Sequence, residues 1–241
     1  MNYIISDIHG CYEEYKELLE KIHFSNEDTL YVLGDSVDRG PEPIRVLQDM
    51  MNRSNVINIL GNHDLVMLIV LKKLAVEIKE DNIEGYLTVD DLELYQGWME
   101  DGGGVTCKQF RQLSLEERND ILEYIKDSST YEVVQIHDKT FVMAHSGIDG
   151  YQEGKSLEEY NFTDFVTART DYSKRCFADP NTSLVTGHTP TVYIREDKKP
   201  LVYEKNGHIA IDCGCVFGGR LAAYCLDTGE VYYVDSKISQ G

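Results

Sequence analysis

Thr29-Leu30-Tyr31-Val32-Leu33 runs straight into Gly34-Asp35-Ser36-Val37-Asp38-Arg39-Gly40, and the reading of these residues decides the fold. The first part is short, apolar and rich in β-formers, as a buried strand is, and the glycine after it signals a tight turn. The turn carries two carboxylates three residues apart and a guanidinium beside the second. Alone, such a loop is often a surface ion pair of little energetic worth. Its neighbours decide otherwise.

Upstream, Asn2 to Ser6 predicts a strand that ends in Asp7-Ile8-His9-Gly10. Tyr12, Tyr15, Leu18, Leu19 and Ile22 then recur at the spacing of an amphipathic helix. Downstream, Pro41 and Pro43 open a second helix whose buried side is Ile44, Val46, Leu47, Met50 and Met51. A third strand, Asn55 to Leu60, ends in Gly61-Asn62-His63-Asp64. A βαβαβ order predicts right-handed crossovers and a parallel sheet, with ligands gathering at the carboxyl ends of its strands.

Residues 65–129 turn to helical periodicity, interrupted by the acidic segment Glu77 to Asp91 and by Gly102-Gly103-Gly104. Trp98 and the run Leu113 to Ile125 place helices on either side of that glycine turn. This stretch, about 65–130, is expected to form a helical cap whose acidic surface is a solvated face. Strands return at Tyr131 to Ile136 and Thr140 to Ala144, joined through His137-Asp138-Lys139 and followed by His145-Ser146-Gly147. A polar helix-like stretch covers Ser156 to Ala178, and Ser183 to Thr186 leads into Gly187-His188-Thr189-Pro190. Leu201 to Glu204, His208 to Asp212 and Leu221 to Val234, the last broken at Asp227-Thr228-Gly229, close the chain. The expectation is one α/β domain over 1–241, its second, mostly β half packed as a sheet on the first.

The net charge of -19, with no basic stripe, excludes nucleic acid as a general partner and with it a nuclease. Metal ions and a few arginines could still bind a phosphoryl group locally. Leu65 to Leu71, the longest apolar run, is too short to span a bilayer. Without the marks of a secretory signal at the N-terminus, a cytoplasmic, membrane-free location is expected. The six cysteines, Cys11, Cys107, Cys176, Cys213, Cys215 and Cys225, show no zinc-type pairs and are expected as free thiols, with Cys213 and Cys215 on one strand face. His23, His137 and His208 stand outside any motif and are expected to be structural or solvated.

Five predicted strand ends carry Asp7 with His9, Asp35 with Asp38 and Arg39, Asn62 with His63, then His145, then His188. Core packing does not account for so many polar groups there, because buried polar groups must be paired or metal-bound. Mixed carboxylate, imidazole and amide donors suit manganese, iron or zinc better than magnesium or calcium. Asp7 and His9, two apart, would point to one side of an extended backbone and chelate one ion.

DIHG at 7–10, GDSVDRG at 34–40, GNHD at 61–64, AHSG at 144–147 and GHTP at 187–190 together resemble the ordered motifs of calcineurin-like metallophosphoesterases, and within them the phosphoprotein phosphatase group. Ile211-Asp212-Cys213-Gly214 and Gly218-Gly219-Arg220-Leu221 resemble the closing strands of bacterial and phage members. The resemblance implies a two-sheet β-sandwich core flanked by helices, and a binuclear metal centre, most simply of manganese. One ion would be held by Asp7, His9 and Asp35, the other by Asp35, Asn62, His145 and His188. Bridged ions activate a water for in-line attack on phosphorus. His63, oriented by Asp38, would protonate the leaving group, while Arg39 and Asn62 hold the phosphoryl oxygens. A second phosphate-binding arginine is expected at Arg169, with Arg175 the other candidate. Two positions depart from the pattern: Ser6 replaces the usual glycine, and Asp64 replaces glutamate, as in symmetrical diadenosine tetraphosphate hydrolases. The set Asp38, Arg39 and His63 points first to a serine/threonine phosphatase-like phosphomonoesterase acting on a phosphoprotein or small phosphoester. GNHD supplies the alternative, symmetrical bis(5'-nucleosyl)-tetraphosphate hydrolysis. A catalytically silent metal and phosphate sensor would not need both His63 and Asp38.

Overall fold

The computed structural model describes residues 1–74 and 88–238, so most of the acidic segment at 77–91 lies outside the described residues. Two five-stranded sheets form the centre, with orders β10-β9-β1-β2-β3 and β4-β5-β6-β8-β7. In the first, β1 (Asn2–Ile5), β2 (Thr29–Val32) and β3 (Val56–Asn58) are parallel, linked through α1 (Tyr12–Lys21) and α2 (Pro43–Met51). The antiparallel pair β9 (Arg220–Cys225) and β10 (Val231–Asp235) extends it past β1. The second sheet pairs β4 (Tyr131–Ile136) with β5 (Lys139–Ala144) as a hairpin, then adds β6 (Thr182–Thr186) and β8 (His208–Ala210) parallel, and β7 (Tyr203–Lys205) on the edge.

Strands that are apolar on both faces explain the layers. Along β1 and β2, Tyr3, Ile5, Leu30 and Val32 pack on Tyr15, Leu18 and Met50 of the helices. The alternate residues Ile4 and Tyr31, with Leu33 and Ile59 just past β2 and β3, meet Phe141, Met143, Val185 and Ile209 between the sheets. A third core joins α3 (Asn62–Leu74) to α4 (Val89–Trp98), α5 (Gly104–Phe110) and α6 (Leu115–Lys126), with Trp98, Phe110 and Ile121 buried in it.

Four expectations fail for identifiable reasons. The second half does not keep to a sheet of its own: β9 and β10, from the run Leu221 to Val234, pair beside β1 in the first sheet, where Leu221, Ala223 and Val234 share the helix-side core with Tyr3 and Ile5. Ser156 to Ala178 is mostly irregular, with one 3-10 turn at Leu157–Glu159 and one short helix, α7 (Thr163–Val166). Its apolar residues Leu157, Tyr160, Phe165 and Phe177 instead cover Val142, Ala144 and Leu184 on the outer face of the second sheet. Cys213 and Cys215 do not share a strand face: left-handed Gly214 turns the chain, sending Cys213 between the sheets and Cys215 toward the helices. Asp7 and His9 have φ of 50° and 44°, so their convergence comes from a left-handed turn and not from extended backbone.

Candidate active site

Turns after β1, β2, β3, β5 and β6 converge at one edge of the two sheets, and they are backbone-strained. Asp7, His9, Asp35, Asp38, Arg39 and His188 all have φ between 44° and 69°. Non-glycine residues rarely adopt that region, and its concentration marks a site held in place by its surroundings. The β2 and β3 turns touch so closely that a Cβ on Gly61 would lie 2.3 Å from the backbone nitrogen of Asp35. Glycine is required there.

Asp64, fully buried in the first turn of α3, locks these turns together. Its carboxylate accepts hydrogen bonds from the backbone N–H groups of Asp35 at 2.8 Å, Ser36 at 3.1 Å and Gly61 at 3.3 Å. Burial, then the Asp35 charge, pushes its pKa up to about 7 despite those donors. The departure from glutamate noted in the sequence therefore falls on a backbone clamp.

Asp35 is at the centre. Its Oδ1 accepts from the N–H of His63 at 3.0 Å, and its Oδ2 lies 3.4 Å from His145 Nε2 and 3.7 Å from His9 Nε2. His145 Nε2 and His188 Nδ1 are 3.2 Å apart, and each is 2.9 Å from Asn62 Oδ1. Two groups of potential ligand atoms result, His9–Asp35–His63 and Asp35–His145–His188, each within 4.8 Å and sharing Asp35. Asp7 stands beside them, its carboxylate accepting from the Ser6 hydroxyl and from the N–H of His188 at 3.0 Å.

The donor chemistry fits metal ions. His9 Nδ1 and His145 Nδ1 lie 2.7 Å and 2.6 Å from the carbonyls of Val37 and Leu33, an arrangement that fixes the tautomer and presents Nε2 to the cluster. Burial depresses His9 to about 3 and His188 to about 4, which keeps both imidazoles neutral with a lone pair available. Burial also lowers His145, but the Asp35 charge outweighs it and raises the ring to about 10. Burial alone would raise Asp35, yet His145 draws it well below the usual carboxylate range. Burial lifts Asp7 to about 7. Carboxylates and neutral imidazoles gathered this closely are the donor set that cations bind.

A second layer comes from α4 and α5. His63 Nδ1 donates to Asp38 Oδ2 at 2.8 Å, and the same oxygen accepts from Trp98 Nε1 at 2.8 Å. Asp38 Oδ1 accepts from the Thr106 hydroxyl at 2.6 Å. Burial lowers His63, but the bond to Asp38 and the Asp35 charge outweigh it, leaving the ring above its ordinary pKa. Arg39 Nη1 is 2.9 Å from His9 Nε2, and its Nη2 donates to Asp101 at 2.8 Å. The other Asp101 oxygen lies 3.4 Å from His63 Nε2.

All the sequence-predicted site residues are at this edge. Of the two candidate arginines, Arg169 Nη1 reaches His188 Nε2 at 3.0 Å, whereas Arg175 binds the carbonyls of Phe177, Asp179 and Thr182. His23 and His137 occupy left-handed turns, and His208 Nε2 lies 2.7 Å from the Lys174 carbonyl. Sequence reasoning missed Trp98, Asp101, Thr106 and the clamping role of Asp64. The lone tryptophan four residues before three glycines was the available signal for these contacts.

The family model for calcineurin-like phosphoesterases matches residues 3–231. The asymmetrical bis(5'-nucleosyl)-tetraphosphatase of Oceanobacillus iheyensis is 30% identical over 261 residues, covering 97% of this chain and 92% of that one. The symmetrical enzyme of Wigglesworthia glossinidia brevipalpis is 34% identical over 100 residues, a match that spans 41% of this chain and only 37% of that relative. A crystal structure provisionally assigned as a diadenosine tetraphosphatase superposes with a TM-score of 0.65 at 21% identity, over 99% of this chain and 94% of that one, and shares the fold. No helix among the described residues is long and apolar enough to cross a membrane.

Proposed function

The chain belongs to the calcineurin-like phosphoesterases, and from that premise we propose that it is a metal-dependent hydrolase of dinucleoside tetraphosphates, cutting a P–O–P bond. The observation that carries this reading is similarity along almost the whole chain to a protein named for that activity. In its favour too is Asp64, the residue by which GNHD differs from GNHE. Asp38 weighed in the sequence for a phosphomonoesterase, but it does not discriminate. It holds His63, and a proton donor serves a departing phosphate as well as a departing alkoxide.

In this reading Asp7, His9, Asp35, Asn62, His145 and His188 hold two cations, with manganese the first choice and iron or zinc the others. Such ions, when bound, polarise phosphoryl oxygens and make water acidic enough to serve as a nucleophile near neutral pH. The residues supply the rest. Arg39 and Arg169 offer planar guanidinium groups to the phosphoryl oxygens. His63 carries a proton on Nε2 toward the leaving oxygen while Asp38 fixes its Nδ1. Water oxygen bonds to phosphorus, the bridging P–O bond breaks, and His63 delivers its proton to the leaving phosphate.

A manganese-reconstituted preparation given diadenosine tetraphosphate and a phosphoserine peptide in parallel tests the reading. Faster turnover of the dinucleotide is expected, with chromatography distinguishing two ADP from ATP plus AMP. A strong preference for the peptide would restore the phosphomonoesterase, which the buried His63–Asp38 pair also suits.

A further inference from the structure

A cleft of about 220 Å³ opens beside the candidate site, between α3 and α4. One end is formed by His63 and Asp101, the walls by Val66, Leu94 and Trp98, and Glu93 lies farther along α4. It is smaller than the roughly 300–1,000 Å³ that takes a drug-sized molecule, and so has room for a fragment. Resting on the dinucleotide reading of the adjacent site, we infer that this cleft is a nucleoside subsite, taking the base of the nucleoside diphosphate portion attached to the reacting phosphorus.

Three observations support this occupant. First, the cleft is continuous with the reacting groups, because His63 and Asp101 belong to both. Second, Gly97 is unexplained by the fold. It lies within α4, has no left-handed φ, and a Cβ placed on it would meet nothing within 4 Å. Glycine inside a helix costs about 1 kcal/mol relative to alanine. What its missing side chain leaves open is the cleft, since Glu93, Gly97 and Asp101 follow at intervals of four along one side. Third, the chemistry is graded. Arg39, paired with Asp101, stands just outside the cleft at the phosphoryl end, the middle is apolar with Leu94 and the Trp98 indole, and Glu93 offers at the far end a carboxylate unshared among the described residues. The Glu93 carboxylate can accept a hydrogen bond from the exocyclic amine of a base, whereas the Asp101 carboxylate is already paired with Arg39. Glu93 lies within α4 and Asp101 beyond its end, so a nucleoside diphosphate can be laid out from one to the other.

Trp98 is the chain's single tryptophan and lines the cleft, so its fluorescence reports occupancy without turnover. The manganese-loaded protein is titrated with ADP and with inorganic pyrophosphate. ADP is expected to bind roughly tenfold tighter, the scale of one base contact. Gly97→Leu, which keeps helix propensity and fills the cleft, is expected to erase that difference and leave pyrophosphate affinity unchanged. Equal affinities for ADP and pyrophosphate in the unmodified protein overturn the inference, and that comparison decides even if the variant fails to fold. Equal weakening of both ligands by Gly97→Leu also overturns it. Failure of the dinucleotide reading shows elsewhere, as absent turnover of diadenosine tetraphosphate. An ADP preference that persists without such turnover leaves the subsite standing and assigns it to another nucleotide ester.

Discussion

Asp38→Asn tests the proposed proton donor with little disturbance of shape. Asp38 is fully buried and receives three donors: His63 Nδ1 and Trp98 Nε1 on Oδ2, and the Thr106 hydroxyl on Oδ1. An asparagine can put its oxygen at the Oδ2 position, keeping His63 and Trp98. Its amide then faces Thr106 Oγ1, a hydroxyl that can accept instead of donate. Geometry survives, and the negative charge is lost. A hydrogen bond to a charged partner is worth about 1.5–3 kcal/mol against about 0.5–1.5 for a neutral one. The difference, about 1.5 kcal/mol, corresponds to roughly a tenfold drop in kcat. His63→Asn removes the acid itself and is expected to cost about 10²–10⁴-fold. The pH profile gives the sharper reading. A general acid must be protonated, so activity falls as pH rises through the His63 pKa, which the Asp38 bond and the Asp35 charge hold above its ordinary value against burial. Losing the Asp38 charge lowers that pKa, and the basic limb of the kcat profile moves to lower pH. Steady-state rates between pH 6 and 10 on diadenosine tetraphosphate and on an alkyl phosphate measure this, with the larger loss expected on the alkyl ester. An unchanged basic limb with equal losses on both substrates would refute the role given to the pair.

Asp35→Asn is expected to lower kcat by about 10³-fold or more, about 4 kcal/mol of transition-state stabilisation, and to reduce bound metal as measured by elemental analysis; near-normal turnover would end its bridging role. Arg169→Ala is expected to raise KM for the phosphoester and weaken inhibition by inorganic phosphate by roughly tenfold, the scale of one charge-assisted contact. Arg175→Ala, which loses only backbone partners, should lower thermal stability and leave KM alone. Asp101→Asn should tighten phosphate inhibition two- to fivefold, because an exposed ion pair competing for Arg39 is worth roughly 0.2–1 kcal/mol. A weaker phosphate inhibition would mean that Asp101 positions Arg39 and does not compete for it.

The sheets and the cluster were legible because each strand of the first half announces itself twice, by its apolar run and by the polar turn that ends it. Asp7, Asp35 and His63 fall at strand ends by counting alone. Other features depend on distant partners. The apolar spacing of Leu157, Tyr160 and Phe165 suits a helix as well as it suits a cover for Val142 and Leu184, and only the second sheet settles which. Trp98 and Thr106 lie sixty and sixty-eight residues from Asp38, and nothing local in α4 or α5 marks them as its donors. Arg169 was separable from Arg175 only once the carbonyls that occupy Arg175 were visible.

The strained turns explain why the motifs are so polar and so rich in glycine. Left-handed backbone costs an ordinary residue roughly 1–2 kcal/mol, and six site residues adopt it. The gross cost, roughly 6–12 kcal/mol, rivals the whole stability of a typical domain at about 5–15 kcal/mol. Aspartate and histidine tolerate the region better than most residues, which reduces the figure. What remains must be offset locally. Asp64 binds three N–H groups of two turns, Asp7 accepts the N–H of His188 from the second sheet, and the carbonyl of Gly102, just past α4, accepts the N–H of Arg39 at 3.0 Å. The bonds to Asp35, His188 and Arg39 each tie a strained residue to an element other than its own. The segment between β3 and β4 therefore belongs to the geometry of the candidate site: through Trp98, Thr106 and Gly102 it fixes Asp38 and Arg39, the two residues with the largest positive φ among the six.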